Sequence, residues 1–490
     1  MSRVKFTDTT LRDAQQCLWA TRMTTAMMLP AVEHLDNAGY DAIDLMGSIQ
    51  FDVCVRYLRE NPWDRIRLVR ERAIKTPLKA GLRSKSLVTF RILPDDVVHL
   101  WVELLVRAGI GKLSAFDALA DLDNITETMR VGQNAGAKVG GALVFTESPA
   151  HTDEYFVGKV RDMMERVDID HLMLKDSGGL LTVDRIRSLV PAMKKVLGKV
   201  PLEIHSHCMT GLAPLVYLEG IKAGADGVHT SVAPLANGPA QPATQTIARN
   251  LRGRGHEVAL DDSCIDAVSA HFAAVAAQEG KPVGIPCEYD DRHFSHQLPG
   301  GMLTNLQFQL EQAGISDRFD EVLTECGRIR EELGWPIMVT PFAQFVATQA
   351  VYNIMQGERY LVVPDEVKRY ALGHFGKLVA PVAPDILDRI VERGSKSISP
   401  DLEPVESAVP GLRRQYPNMS DEERLMRFMF KGTHVDDMLA AGATVTDYTL
   451  LDTPLAKLLN EIRKLPTLRS VHINASGKRL AVTRARAGEP

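Results

Sequence analysis

Cysteine is scarce, at six residues in 490, and the six (Cys17, Cys54, Cys208, Cys264, Cys287, Cys326) never form a CxxC pair. That spacing excludes a zinc ribbon and a disulfide framework and points to a reducing, cytoplasmic setting. Excess basic charge is also missing. The net charge is −5 with no long Lys/Arg run, which speaks against a nucleic-acid binder. No apolar run is long enough to cross a bilayer, and the mean hydropathy is −0.09, so a membrane span is not expected. No apolar stretch follows Arg3, so no signal peptide is expected. No strand is followed by GxGxxG, which removes support for a dinucleotide fold. Internal repeats and low-complexity tracts are absent too.

What is present in the first half is a regular alternation. Short β-rich runs at Val4–Phe6, Ala42–Leu45, Leu78–Leu82, Lys112–Phe116, Lys138–Val144, His171–Leu174, Leu202–Ile204 and Asp226–His229 are each followed by sequence at helical spacing. Val183, Ile186, Leu189, Val190, Met193 and Leu197 form one such stripe, with Pro191 expected to kink it. Eight strand–helix pairs in about 250 residues predict a TIM (β/α)8 barrel closing near residue 255. Beyond residue 260 strands are hard to find, and Asn305–Gln312 and Ala343–Met355 read as amphipathic helices. Residues 394–418 read as a linker or surface strap. Ser420 with Glu423 forms a capping box, and Ser470–Ile473 with Lys478–Thr483 reads as a hairpin. The expected organisation is a barrel at 1–258, a mainly helical C-terminal domain at 259–465 and a small hairpin tail at 466–490.

In such a barrel the chemistry sits just after the strands, at the C-terminal rim. His205 and His207 lie two apart on one strand, so both imidazoles face one spot at the barrel mouth. Two imidazoles with a carboxylate suit a divalent ion such as zinc, manganese or cobalt, and Asp13 on the first rim loop is in place to supply the carboxylate. Lys175 admits several readings: Schiff-base nucleophile, general base, ion-pair partner of Asp176, or a lysine carbamylated by CO2 to an anionic ligand. Arg83 suits bidentate binding of a small acid. Asp117 reads as a rim carboxylate that either holds a loop or takes part in catalysis.

Thr9-Thr10-Leu11-Arg12-Asp13-Ala14-Gln15-Gln16 with Ala20-Thr21-Arg22-Met23 opens a longer series of matches. The series continues through Phe51-Asp52-Val53, Asn61-Pro62-Trp63, Leu82-Arg83, Pro94-Asp95-Asp96-Val97-Val98, Phe116-Asp117-Ala118-Leu119, Leu174-Lys175-Asp176 and His205-Ser206-His207. It ends with Leu298-Pro299-Gly300-Gly301, Thr304-Asn305-Leu306, Val339-Thr340-Pro341 and the helices from Ser420 to Gly432. In this the chain resembles the biotin-dependent carboxyltransferases: the carboxyltransferase domain of pyruvate carboxylase, the pyruvate-side subunit of transcarboxylase and the alpha subunit of oxaloacetate decarboxylase. The resemblance implies that Asp13, His205, His207 and a carbamylated Lys175 hold the metal. It implies that Gln16 and Arg83 bind the substrate, with Lys175 and Asp117 beside them in the catalytic set. It further implies an enolisable oxo acid as substrate, biotin on a separate carrier protein, a separate biotin carboxylase, and a homodimer. No Met-Lys-Met biotinylation motif and no ATP-binding segment occurs in the sequence.

The departures are specific. Where the family has Gly-Thr-Ser-Gln-Pro, with a Thr that carries a proton, this chain has Gly238-Pro239-Ala240-Gln241-Pro242. Ser114, Ala120 and Met46-Gly47-Ser48 also depart from the family pattern. They imply a substrate other than pyruvate or another proton route, with Thr230, Ser231 and Thr244 as nearby hydroxyls. The same barrel also admits a metal-dependent C–C lyase or aldolase of the 3-hydroxy-3-methylglutaryl-CoA lyase type, with Asn237 as the Asn after strand eight. A catalytically inactive scaffold is a third reading, against which the intact ligand set speaks.

Overall fold

The computed structural model describes residues 3–312, 314–402, 404–450, 458, 462, 470–475 and 478–483. Eight parallel strands close into a barrel in sequence order: β1 (Lys5–Asp8), β2 (Ala42–Met46), β3 (Leu78–Leu82), β4 (Ile110–Ala115), β5 (Lys138–Val144), β6 (His171–Asp176), β7 (Leu202–Ser206) and β8 (Gly227–Thr230). The seam is sealed by β1 against β8, with Thr7 opposite His229. This is the predicted TIM barrel, and the strand bounds at β3 and β5 coincide with those read from the sequence.

Helices follow the strands, and their starts have local causes. Thr24, Asn61, Asp121, Thr152 and Thr182 each accept a backbone N–H of the first turn. The helix Val183–Leu197 runs through Pro191 without ending there. The last barrel helix, Thr244–Gly253, closes the unit where the alternation predicted.

From Asp262 onward the described chain is helical up to the hairpin, as expected. The helices Gly300–Gln312 and Phe342–Gln356 contain the two amphipathic segments. The 394–418 stretch is not all strap: Val409–Gln415 is a helix, begun by Pro410 near its first turn. Ser420 caps Asp421–Met429 by accepting the Glu423 N–H. Strands Ser470–Ala475 and Lys478–Thr483 pair antiparallel, and the turn between them lies outside the described residues.

The helical region is tied to the rim loops where chemistry was expected. Trp19 Nε1 donates to the Pro282 carbonyl (2.9 Å), and Asn124 Nδ2 donates to that of Phe375 (2.9 Å). Arg330 reaches the Glu147 carbonyl (2.6 Å), and His293 Nε2 donates to that of Gly178 (2.6 Å). These contacts fix the loops after β1, β4, β5 and β6.

A buried ion pair braces the loop that follows the first rim residues. Arg65, wholly buried, bonds Glu60 (2.7 Å), Thr25 Oγ1 (2.9 Å) and the Met23 carbonyl (3.1 Å). Glu60 also takes the Thr25 N–H and hydroxyl. Glu60→Ala strands the guanidinium, and should lower stability by about 3–5 kcal/mol in urea unfolding.

Candidate active site at the barrel mouth

Strand alternation decides which side chains meet inside the barrel. On β6 the inward positions are His171, Met173 and Lys175; on β7 they are Glu203 and His205, continued by His207. Lys175 stands opposite His205 in the ladder, so both reach the same level of the mouth. Asp13 arrives from the one-turn helix Thr10–Ala14, which the chain enters directly from β1.

Asp13 Oδ2 lies 2.8 Å from His205 Nε2 and 3.1 Å from His207 Nε2, and the two imidazole nitrogens are 3.2 Å apart. Among the described residues this is the group of three metal-type side chains whose ligand atoms converge within 4.8 Å, and all three are buried. His207 Nδ1 sits 2.6 Å from the Pro239 carbonyl and donates to it, which turns His207 Nε2 toward Asp13. Burial opposes the charge on Asp13, yet the Arg12 guanidinium (2.7 Å) and the two imidazoles hold its carboxyl well below the usual range. A carboxylate oxygen and imidazole nitrogens aimed at one buried point fit a divalent cation. The sequence placed all three of these residues together.

The remaining predicted residues occupy different surroundings. Burial, with the charge of Arg12 adding to it, brings the Lys175 ammonium down to about 8. Its Nζ lies 4.3 Å from the centre of the Phe116 ring. Arg83 is buried, and burial lowers it to about 10 against the opposing pull of Asp52. One Arg83 nitrogen donates to the Thr89 carbonyl (2.7 Å), while its Nε has no hydrogen-bond partner. A nearly dry guanidinium with an unused donor is suited to an anion. Gln16 Oε1 accepts from Gln50 Nε2 (3.1 Å). Asp117 is committed to its own loop, taking the N–H groups of Leu119 (2.8 Å) and Asp121 (3.1 Å) and the Asn124 amide (3.1 Å).

Two participants escaped sequence reasoning. Gln241 brings its amide nitrogen within 3.0 Å of Asp13 Oδ2, 3.1 Å of His207 Nε2 and 3.4 Å of His205 Nε2. Its oxygen accepts from Thr9 Oγ1 (2.8 Å). Turned end for end, the same amide would give an N–H to Thr9, leave the Thr9 proton for the Thr230 carbonyl (3.0 Å), and face its oxygen to the cluster. The side-chain amide at the cluster is therefore that of Gln241; Asn237 gives its backbone N–H to the Gln241 carbonyl (2.8 Å) in the same loop. Arg12 is the second: it bridges Asp13 to Asp44 on β2 (2.6 Å). The signal for Arg12 was a charged pair, Arg12-Asp13, set between Leu11 and Ala14 in the first turn. For Gln241 it was an amide between Ala240 and Pro242 in a Pro-rich return loop.

The hydroxyls considered as substitutes for a proton-carrying Thr lie elsewhere. Thr230 points away from the barrel axis, since His229 before it points inward, and it receives the Thr244 hydroxyl (2.8 Å). Tyr40 in turn donates to Thr244 (3.1 Å). Ser231 turns to the Gln241 carbonyl.

A family model described as "Conserved carboxylase domain" matches residues 294–465, and one described as "HMGL-like" matches residues 114–271. A pyruvate carboxylase subunit of Methanocaldococcus jannaschii is 40% identical over 398 residues, covering 81% of this chain and 70% of the relative. The large subunit of 2-oxoglutarate carboxylase from Hydrogenobacter thermophilus is 31% identical over 395 residues, covering 80% of this chain and 60% of the relative. A solved carboxyl transferase domain of Rhizobium etli pyruvate carboxylase with pyruvate superposes with a TM-score of 0.84 at 25% identity, covering 98% of this chain and 84% of that one. The barrel half and the helical half thus find their likeness in the same enzymes, and Asp13, Lys175, His205 and His207 from the motifs that first suggested it lie at the mouth just described. The chain is an enzyme and belongs to the biotin-dependent carboxyltransferase family.

Proposed function

We propose that this protein moves CO2 between carboxybiotin and a small enolisable oxo acid, with a divalent metal held by Asp13, His205 and His207. The observation that carries the reading is the convergence of those three buried ligand atoms at the barrel mouth, level with Lys175. Bound there, a divalent cation such as zinc, manganese or cobalt would supply Lewis-acid polarisation of the substrate's keto oxygen and stabilise enolate charge. The protein's own groups do the rest. Arg83, buried and with a spare donor, takes the substrate carboxylate, and Gln16 orients the oxo group beside it. Arg12 keeps Asp13 ionised and fixed from behind. Asp117 holds the β4 rim loop, and with it the Phe116 ring under Lys175. Gln241 supplies a further amide at the cluster.

The biotin rides on a biotinyl carrier and is charged by a biotin carboxylase. The enzyme works in the cytoplasm as a homodimer; a monomeric mass in light scattering at micromolar concentration would remove the dimer. Among the described residues no helix is long and apolar enough to cross a membrane. A second reading, a metal-dependent C–C lyase, draws on the HMGL-like match and on the Gln241 amide at the cluster. Transfer of labelled carboxyl between a biotinylated carrier and an oxo acid, against carrier-free cleavage, separates the two.

Lys175 is assigned as a carbamylated fourth ligand. Its lowered basicity supplies the neutral amine that attacks CO2 and then loses a proton, and a cation would stabilise the resulting carbamate anion. Metal loading should then depend on bicarbonate, and Lys175→Ala should lose both the metal and that dependence. Trapping of Lys175 by borohydride with a keto acid would instead show a Schiff base and overturn the assignment.

A further inference from the structure

The barrel beneath the cluster is charged where most barrels are apolar. Lys112 on β4, Glu203 and His205 on β7, and His229 on β8 all point to the axis and are at most 8% exposed. They form one unbroken chain of contacts. Lys112 Nζ lies 2.5 Å from Glu203 Oε1, Glu203 Oε2 lies 2.9 Å from His229 Nε2, and His229 Nδ1 lies 3.2 Å from His205 Nδ1.

We propose that His229 and Glu203 are positioning residues for His205, fixing the tautomer whose Nε2 lone pair is free for a divalent cation held with Asp13 and His207. The proton positions follow from the donor inventory. Glu203 is a carboxylate with Lys112 on one oxygen, so its other oxygen needs a donor. His229 Nε2 is the atom there and therefore carries the proton. His229 Nδ1 is then an acceptor, and the facing His205 Nδ1 must donate to it. One proton remains on neutral His205, already spent at Nδ1, so Nε2 keeps its lone pair free for a cation, without which it would face the Asp13 carboxylate at 2.8 Å. The opposite arrangement would put a lone pair of His229 against the Glu203 carboxylate at 2.9 Å, in a place water does not reach. His207 reaches the same state by a separate route, through the Pro239 carbonyl. Metal-binding imidazoles are commonly oriented by such outer partners, and their loss typically weakens metal binding about 10–100-fold.

The inference rests on the metal reading above, and its test distinguishes the two. Cobalt(II) alone is titrated into metal-free protein against a chelator, and its visible absorption is recorded. His229→Leu removes the acceptor. Glu203→Gln leaves one acceptor where two donors converge. His229→Asn places an oxygen close to the position of Nδ1. The Leu and Gln variants should bind cobalt about 10–100-fold more weakly with an altered spectrum, while His229→Asn stays within a few-fold of the unaltered protein. If the Leu variant fails to fold by circular dichroism, Glu203→Gln against His229→Asn decides. Unchanged affinity and spectrum in Glu203→Gln, or no recovery in His229→Asn, overturns the inference. An unaltered protein that takes up no cobalt, or takes it up equally as Asp13→Asn, overturns the metal reading itself.

Discussion

Asp13→Asn should release the divalent metal and lower oxo-acid carboxyl transfer by about 10³-fold or more, since it removes both a ligand and the charge that the cation needs. The substitution is nearly isosteric, so the barrel should fold unchanged. Arg12, which loses one partner, remains held by Asp44 at 2.6 Å. The amide keeps an oxygen for one contact but brings an N–H into a space where His205 Nε2 and His207 Nε2 lie 2.8 and 3.1 Å from the present carboxylate oxygen. Metal affinity should therefore fall further than the roughly 10–100-fold typical of outer partners. His207→Ala should behave alike, and also leaves the Pro239 carbonyl without its donor. Elemental analysis and initial rates measured on the same preparations check both. Stoichiometric metal surviving either change would show that the ion is held elsewhere.

The barrel was legible because each parallel strand is a short, mostly apolar run between turns, followed by a helix, five of them begun by a side-chain cap. Two of the misread ends share a cause. β6 and β7 each run two residues beyond the apolar stretch, through Lys175-Asp176 and His205-Ser206, because the ladder continues while the side chains turn polar for the site. Polar residues at a strand end look like loop in sequence and are the functional part in space. The His-x-His pair and Asp13 were legible from alternation and rim position alone. Gln241 was not, since a loop residue acquires its neighbours only when the chain returns over the mouth. Nor was the charged interior. Lys112 and Glu203 each sit between apolar or glycine neighbours in their strands, and only the closed barrel brings them together from β4 and β7. Val409–Gln415 was hidden among Ser and Pro, where Pro410 is a helix starter rather than a breaker.

The other large effect concerns Pro239. Its carbonyl is engaged with His207, and a Cβ on Gly300 would meet the Pro239 ring at 2.9 Å, so the ring lies at the lip between the β8 loop and the helix Gly300–Gln312. A proline ring carries no proton, and the three hydroxyls considered in its place are bonded to other partners away from the cluster. Pyruvate carboxylation requires a proton to leave a methyl group, and a positioned acid–base group is typically worth about 10²–10⁴ in rate. Pyruvate carboxylation and oxaloacetate decarboxylation by this protein should therefore run about 10²–10⁴-fold below a relative that has Thr at this position. Pro239→Thr should recover part of the difference, because the backbone contact to His207 needs only the carbonyl. An oxo acid whose enolate forms by another proton route should not show the deficit; the likeness to a 2-oxoglutarate carboxylase makes that acid the first to compare. Initial rates with both acids and a biotinylated carrier, for the unaltered chain and Pro239→Thr, decide the matter. Pyruvate rates equal to those of the Thr-bearing relative would mean that the proton leaves by a path that never involved residue 239.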